Sequence, residues 1–113
     1  MQLTLYWRLR TPNDVDYTAF IHLLGPPHPD TVSPVWGSDD HEPGRASYPT
    51  SAWSAGEIVI DAFVLRIPPS APAETYDLEV GFYQLETMQR LPVLDPTGAV
   101  GDRVLLGNVG VGK

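Results

Sequence analysis

Twelve prolines, set between short apolar runs, are the first constraint on what this chain can become. A proline cannot donate to a strand ladder or continue a helix, so each one marks a boundary. They follow no collagen-like period, and with ten glycines they read as turn punctuation. Between them, no stretch sustains the i, i+3, i+4, i+7 apolar spacing of an amphipathic helix.

The surviving pattern is that of strands. Leu3, Leu5, Trp7 and Leu9 alternate with Gln2, Thr4, Tyr6, Arg8 and Arg10, the period of a half-buried strand that Thr11-Pro12-Asn13-Asp14 ends. Tyr17 to Leu24 is apolar on both phases apart from Thr18 and His22, which predicts a central strand covered on both sides. Gly25 to Pro34 is a proline-rich loop, Val35 to Ser38 a short strand, and Asp39 to Trp53 a long irregular crossing. Glu57 to Ile67 is the strongest strand, rich in β-branched residues and closed by Pro68-Pro69. Tyr76, Leu78, Val80 and Phe82 give another clean alternation. Leu91 to Leu94 is expected to return against it as a hairpin partner across Glu86 to Arg90. Asp95-Pro96-Thr97-Gly98 is a turn and Val104 to Val111 a closing strand.

Short strands with close turns predict an all-β fold, an antiparallel immunoglobulin-like Greek-key sandwich of about seven strands, with a jelly roll as the alternative. Tyr76 opens a late strand just after a turn, the position from which a tyrosine corner bonds back to the backbone. At 113 residues, residues 1–113 fit a single domain, here expected to be excised from a larger protein.

Charge and composition remove several functions. A net charge of −7, with seven scattered basic residues, would repel a phosphate backbone or an anionic membrane surface. No apolar run approaches a membrane span, so direct membrane insertion is not expected either. The absence of cysteine excludes disulfides, thiolate catalysis and iron–sulfur clusters.

Several residues are candidates for chemistry, each with a plainer competing role. Asp39, Asp40, His41 and Glu42 form the densest polar cluster and are weak candidates for calcium or part of a zinc site. Their spacing matches no calcium loop, and the plainer reading is a solvated acidic loop whose Asp residues cap turns. His22, inside an apolar strand, reads as a buried histidine with one hydrogen-bonded partner. Asp77 and Glu79 alternate with Leu78 and Val80 and are expected to face water. Asp61 interrupts an apolar strand, so it is expected to accept hydrogen bonds from the Pro49 to Trp53 crossing. Trp36, Tyr48 and Trp53 are the candidate ligand-binding residues, because exposed aromatics beside carboxylates can stack on a sugar ring; the plainer reading is that they pack in the core. No Gly-x-Ser-x-Gly elbow is present, and no catalytic constellation or cofactor site is expected.

Read in order, Asp16-Tyr17, Phe20 to Leu24, Tyr48-Pro49-Thr50-Ser51 with Trp53, Gly56 to Asp61, Tyr76 to Tyr83 and Arg90-Leu91 form a recognisable string. It resembles the C-terminal β-sandwich accessory domain of bacterial membrane glycosyltransferases similar to the protein mannosyltransferase class. The resemblance spans nearly the whole chain. Its most specific part is the PTSxW…GExVxD run, and it departs at Glu74 and at Met88-Gln89, where glycine is usual. It implies a non-catalytic domain tethered to a membrane-bound enzyme on the extracytoplasmic side, with the remainder of that parent chain as its partner. Its role would then be structural or docking; the alternative is a carbohydrate-binding module using the 36–53 aromatics.

Overall fold

The computed structural model describes residues 1–44, 48–95 and 97–111. Alternation in the sequence becomes two facing antiparallel sheets. Strands β1 (Gln2–Arg8) and β4 (Ile58–Val64) pair in the smaller sheet, with Leu3 opposite Phe63 and Leu5 opposite Asp61. In the larger sheet β2 (Thr18–Leu24) lies between β3 (Val35–Ser38) and β5 (Thr75–Gln84). The far edge of β5 is shared by β6 (Gln89–Arg90) at one end and β9 (Val104–Gly110) at the other. Strands β7 (Val93–Asp95) and β8 (Gly98–Gly101) form a separate hairpin. The expected all-β sandwich is what forms.

Each sheet turns one phase of its strands inward. Ala19, Ile21 and Leu23 from β2 meet Leu78 and Val80 from β5, and Phe63 from β4 closes on them with Trp36, Leu65 and Tyr76. Burying each large apolar side chain contributes about 1.5–3 kcal/mol, against about 1 kcal/mol for a backbone hydrogen bond. Side-chain burial therefore sets the register. Slipping β1 by one residue would exchange Leu3, Leu5 and Trp7 for Thr4, Tyr6 and Arg8.

Tyr76 behaves as its position suggests. Its fully buried ring fills the core, and its hydroxyl donates to the Pro72 carbonyl at 2.6 Å. Gly25 makes room for it, since a Cβ there would stand 2.3 Å from the ring.

The return after β5 differs from expectation. Gln84 pairs with Gln89 and Tyr83 with Arg90, so the hairpin closes within Glu86 to Arg90, the segment expected to be its loop. Leu91 adds one more bond, from its N–H to the Phe82 carbonyl at 2.8 Å. Pro92 has no N–H to continue the ladder, and Val93–Asp95 pairs with Gly98–Gly101 instead. Of the Asp95 to Gly98 turn, Pro96 lies outside the described residues; Gly98, at φ 121°, takes a conformation that side chains disfavour.

Met88 closes the β5–β6 turn at φ 59°, in the left-handed region. It is exposed, so glycine there would sacrifice little packing. The left-handed conformation costs an L-residue roughly 1–2 kcal/mol, and the added freedom of an unfolded glycine returns roughly 0.5–1 kcal/mol of that. Met88→Gly is therefore expected to stabilise the domain by about 0.5–1 kcal/mol. Urea denaturation with an unchanged slope checks it; a lower midpoint would contradict the strain.

Candidate functional site

The chemistry-bearing residues gather along one line, the extension of β3. Beyond Ser38 the backbone stays extended and in register with β2: Asp39 N–H donates to the Ile21 carbonyl, and Ala19 and His41 exchange bonds of 2.9 and 3.0 Å. Asp39, Asp40 and His41 thus occupy alternating faces of a sheet edge, not a solvated loop. That correction has a simple origin. The irregular look of the sequence concealed in-register pairing to an apolar neighbour.

Asp39 and His41 face inward. His41 Nδ1 lies 3.0 Å from Asp39 Oδ1, and its Nε2 lies 2.8 Å from Asp61 Oδ1. The imidazole packs against the Phe63 ring at 4.5 Å. Asp61 is only 1% exposed, and its other oxygen accepts from Trp7 Nε1 at 3.1 Å. The remaining Asp39 oxygen accepts from the Val64 N–H at 2.8 Å, which fastens the β3 extension to β4. Asp61 is paired as expected, but by Trp7, His41 and the Gly44 N–H, not by the crossing. The crossing is held elsewhere. The Thr50 hydroxyl donates to the Val15 carbonyl and accepts the Tyr17 N–H, and the Ser51 N–H donates to Asp16.

Asp40 faces the other way, onto the outer side of the larger sheet. Its Oδ1 lies 3.0 Å from His22 Nε2, and its Oδ2 accepts from the Tyr83 hydroxyl at 3.1 Å. His22 Nδ1 lies 2.9 Å from Glu79 Oε2, so this histidine has two acidic partners where one was expected. Glu79 is 4% exposed, not turned to water; Asp77 does face solvent. The second oxygen of Glu79 accepts from Arg90 at 3.2 Å and Arg103 at 3.1 Å. The Arg90 guanidinium sits 4.3 Å above the Phe20 ring, and Gly81 leaves room for that ring, where a Cβ would meet it at 2.6 Å. Nothing in strand periodicity announces Arg90, in the two-residue strand β6, or Arg103, just before β9. The available signal was that Glu79 stands opposite His22 once β2 and β5 pair.

Electrostatics follow from this geometry. Burial opposes charge on His22, but hydrogen bonds to Asp40 and Glu79 and their negative charge outweigh it, raising its pKa above the ordinary 6.5. Burial likewise opposes charge on Glu79, yet donation from His22, Arg103 and Arg90 holds its pKa below the ordinary 4.5. Burial, together with Asp40, pushes the Tyr83 hydroxyl up. When protonated, His22 donates from both nitrogens, to Asp40 on the β3 extension and to Glu79 on β5, so the network links those segments to β2.

The metal candidates separate. Asp40 points away from Asp39 and His41, while Glu42 lines a cleft with Asp14, Asp16 and Glu86. Among the described residues, no three acidic or histidine side chains gather to hold a metal ion.

The aromatic candidates do not form an exposed row. Trp36 is 7% and Trp53 6% exposed. Trp36 stacks on His28 at 3.6 Å and donates to the Pro26 carbonyl, while Trp53 donates to the Tyr48 carbonyl. Tyr48 gives its hydroxyl to Glu57 at 2.7 Å; that bond raises the pKa of Tyr48, and donation from Ser54 and then from Tyr48 lowers that of Glu57. Proline-rich and turn segments fold back over their own aromatics here, so Trp36 and Trp53 are packed, the plainer of the two expectations. An apolar groove of about 130 Å³ does open beside Trp7, Tyr17, Trp53 and Phe82, with Trp7 and Phe82 rings 4.5 Å apart.

Comparison with protein-family models, with curated proteins and with solved structures gave no match to this chain.

Two outcomes follow. The His22 contribution is complete below pH 6.5 and is lost as pH rises through the raised pKa; that of Glu79 is complete above pH 4.5 and is lost as pH falls through the lowered one. Folding stability carried by the network should plateau between pH 4.5 and 6.5, and in His22→Gln the alkaline decline should flatten. Denaturation midpoints across pH test this; an unchanged alkaline limb would contradict it. Asp61→Ala strips the acceptor from both His41 and Trp7 and should destabilise by roughly 3 kcal/mol, measured by the same method.

Proposed function

We propose that this chain is a non-catalytic accessory domain of a larger bacterial membrane glycosyltransferase, with a structural or docking role on the extracytoplasmic side. The observation that carries this reading is the use to which the resembling residues are put. In the PTSxW…GExVxD run, Thr50 joins the crossing to the start of β2, Trp53 is buried, Glu57 receives Tyr48, and Asp61 is the acceptor between the sheets. The residues that make the chain look like such a domain are those that hold it together. An immunoglobulin-like arrangement belongs to the same reading, supported by the pairing of β1 with β4 and of β2 with β5, and by the Tyr76 bond to Pro72.

Docking stands ahead of carbohydrate binding because burial of Trp36 and Trp53 leaves no exposed aromatic row among the described residues of 36–53. Among the described residues, no helix is long and apolar enough to cross a membrane, so attachment falls to the parent chain.

The test is to sequence the genomic DNA upstream of the Met1 codon. An uninterrupted frame encoding several membrane-spanning segments is the expected result; an in-frame stop directly before Met1 would overturn the reading. Amide spectra recorded with pooled oligosaccharides should leave the Trp36 and Trp53 indole signals unmoved. Saturable shifts there would restore the sugar-binding alternative.

A further inference from the structure

Strand β1 has an open edge. The reciprocal bonds of Met1 with Leu65, both 2.8 Å, fix which residues of β1 face β4. By antiparallel alternation Leu3, Leu5 and Trp7 direct their backbone groups to β4, while Gln2, Thr4, Tyr6 and Arg8 direct theirs away. Among the described residues nothing pairs with that outward row. The opposite edge of this small sheet is treated differently, since Asp39 accepts the outward Val64 N–H.

Burial tells the same story on the inner face. Val59, Asp61 and Phe63 of β4 are 7%, 1% and 1% exposed, but their neighbours Trp7, Leu5 and Leu3 on β1 are only half-buried. The sandwich is open along β1. At one end of that opening lies the apolar groove floored by Trp7, Leu9, Tyr17 and Phe82.

Charge selects the occupant. Residues 1–13 carry Arg8 and Arg10 and no acid, in a chain with fourteen acidic residues. Arg8 lines the groove and has no ion-pair partner among the described residues. A second copy pairing β1 to β1 about Leu5 would set Gln2 beside Arg8 and bring it no carboxylate.

We propose that the free edge of β1 accepts an added strand from a partner polypeptide. The added segment is extended, apolar at alternate positions, and acidic at the end lying beside Arg8 and Arg10. Its backbone pairs with Gln2, Thr4, Tyr6 and Arg8, and its apolar side chains cover Leu3, Leu5 and Trp7, with one entering the groove. This names a surface for the docking role and rests on that reading only for its biological setting.

The probe is a synthetic nine-residue peptide, Glu-Glu-Val-Thr-Val-Thr-Val-Thr-Val, capped at both ends and added in millimolar excess. Amide hydrogen exchange at Gln2, Thr4, Tyr6 and Arg8 should slow by at least about tenfold, saturably, and the Trp7 indole signal should shift. Arg8→Glu should weaken binding and transfer the preference to the same peptide with lysines in place of its glutamates. Unchanged exchange at those amides would overturn the proposal. So would equal protection by a peptide methylated at alternate backbone nitrogens, or protection that rises with protein concentration without peptide, which would assign the edge to a second copy. A negative result leaves the upstream reading-frame test untouched, so the two failures are separable.

Discussion

The carboxylate of Asp61 is the constraint on which the rest of the molecule turns. An ionisable group almost wholly removed from water between two apolar sheets is costly unless every lone pair is used. Trp7 supplies one donor from β1 and His41 another from the β3 extension, so satisfying one residue draws in both sheets. His41 in turn engages Asp39, whose second oxygen seals an edge amide of β4. Packing alone would accept many sliding arrangements of two greasy sheets. The polar line through Asp61 accepts few, because each donor must arrive at a fixed point.

A second histidine repeats the device on the outside. His22 stands between Asp40 and Glu79 much as His41 stands between Asp39 and Asp61. Both histidines are served by consecutive aspartates of one extended segment, whose alternation sends one carboxylate to each face. The outer set adds Arg90 and Arg103, which tie the β6 turn and the start of β9 to the middle of the sheet. The outer faces of β2 and β5 are thereby fastened to the β3 extension, β6 and the start of β9.

What was legible in the sequence was what depends on local periodicity. The alternations around Leu5, Phe63 and Val80 place those residues inside, and Tyr76 falls at its corner because turn and strand are contiguous. Pairing across the chain was not legible. Asp39-Asp40-His41 looked like loop because nothing adjacent reveals that β2 lies alongside in register. Glu79 looked solvent-facing because alternation separates two faces without saying that the second face is also covered. What covers Trp36 and Trp53 was not legible, because the loops that bury them are irregular and carry no period to read.

Gly81 and Phe20 bear on how such a chain can change over generations. The ring lies where a side chain at position 81 would be, and Arg90 rests on that ring. Any larger residue at 81 displaces the ring, and any smaller residue at 20 removes the seat of the guanidinium that serves Glu79. Neither position can drift alone without passing through a variant in which a buried carboxylate loses a donor. The two should therefore be inherited as a unit, and Arg90 should vary with them although it lies on another strand.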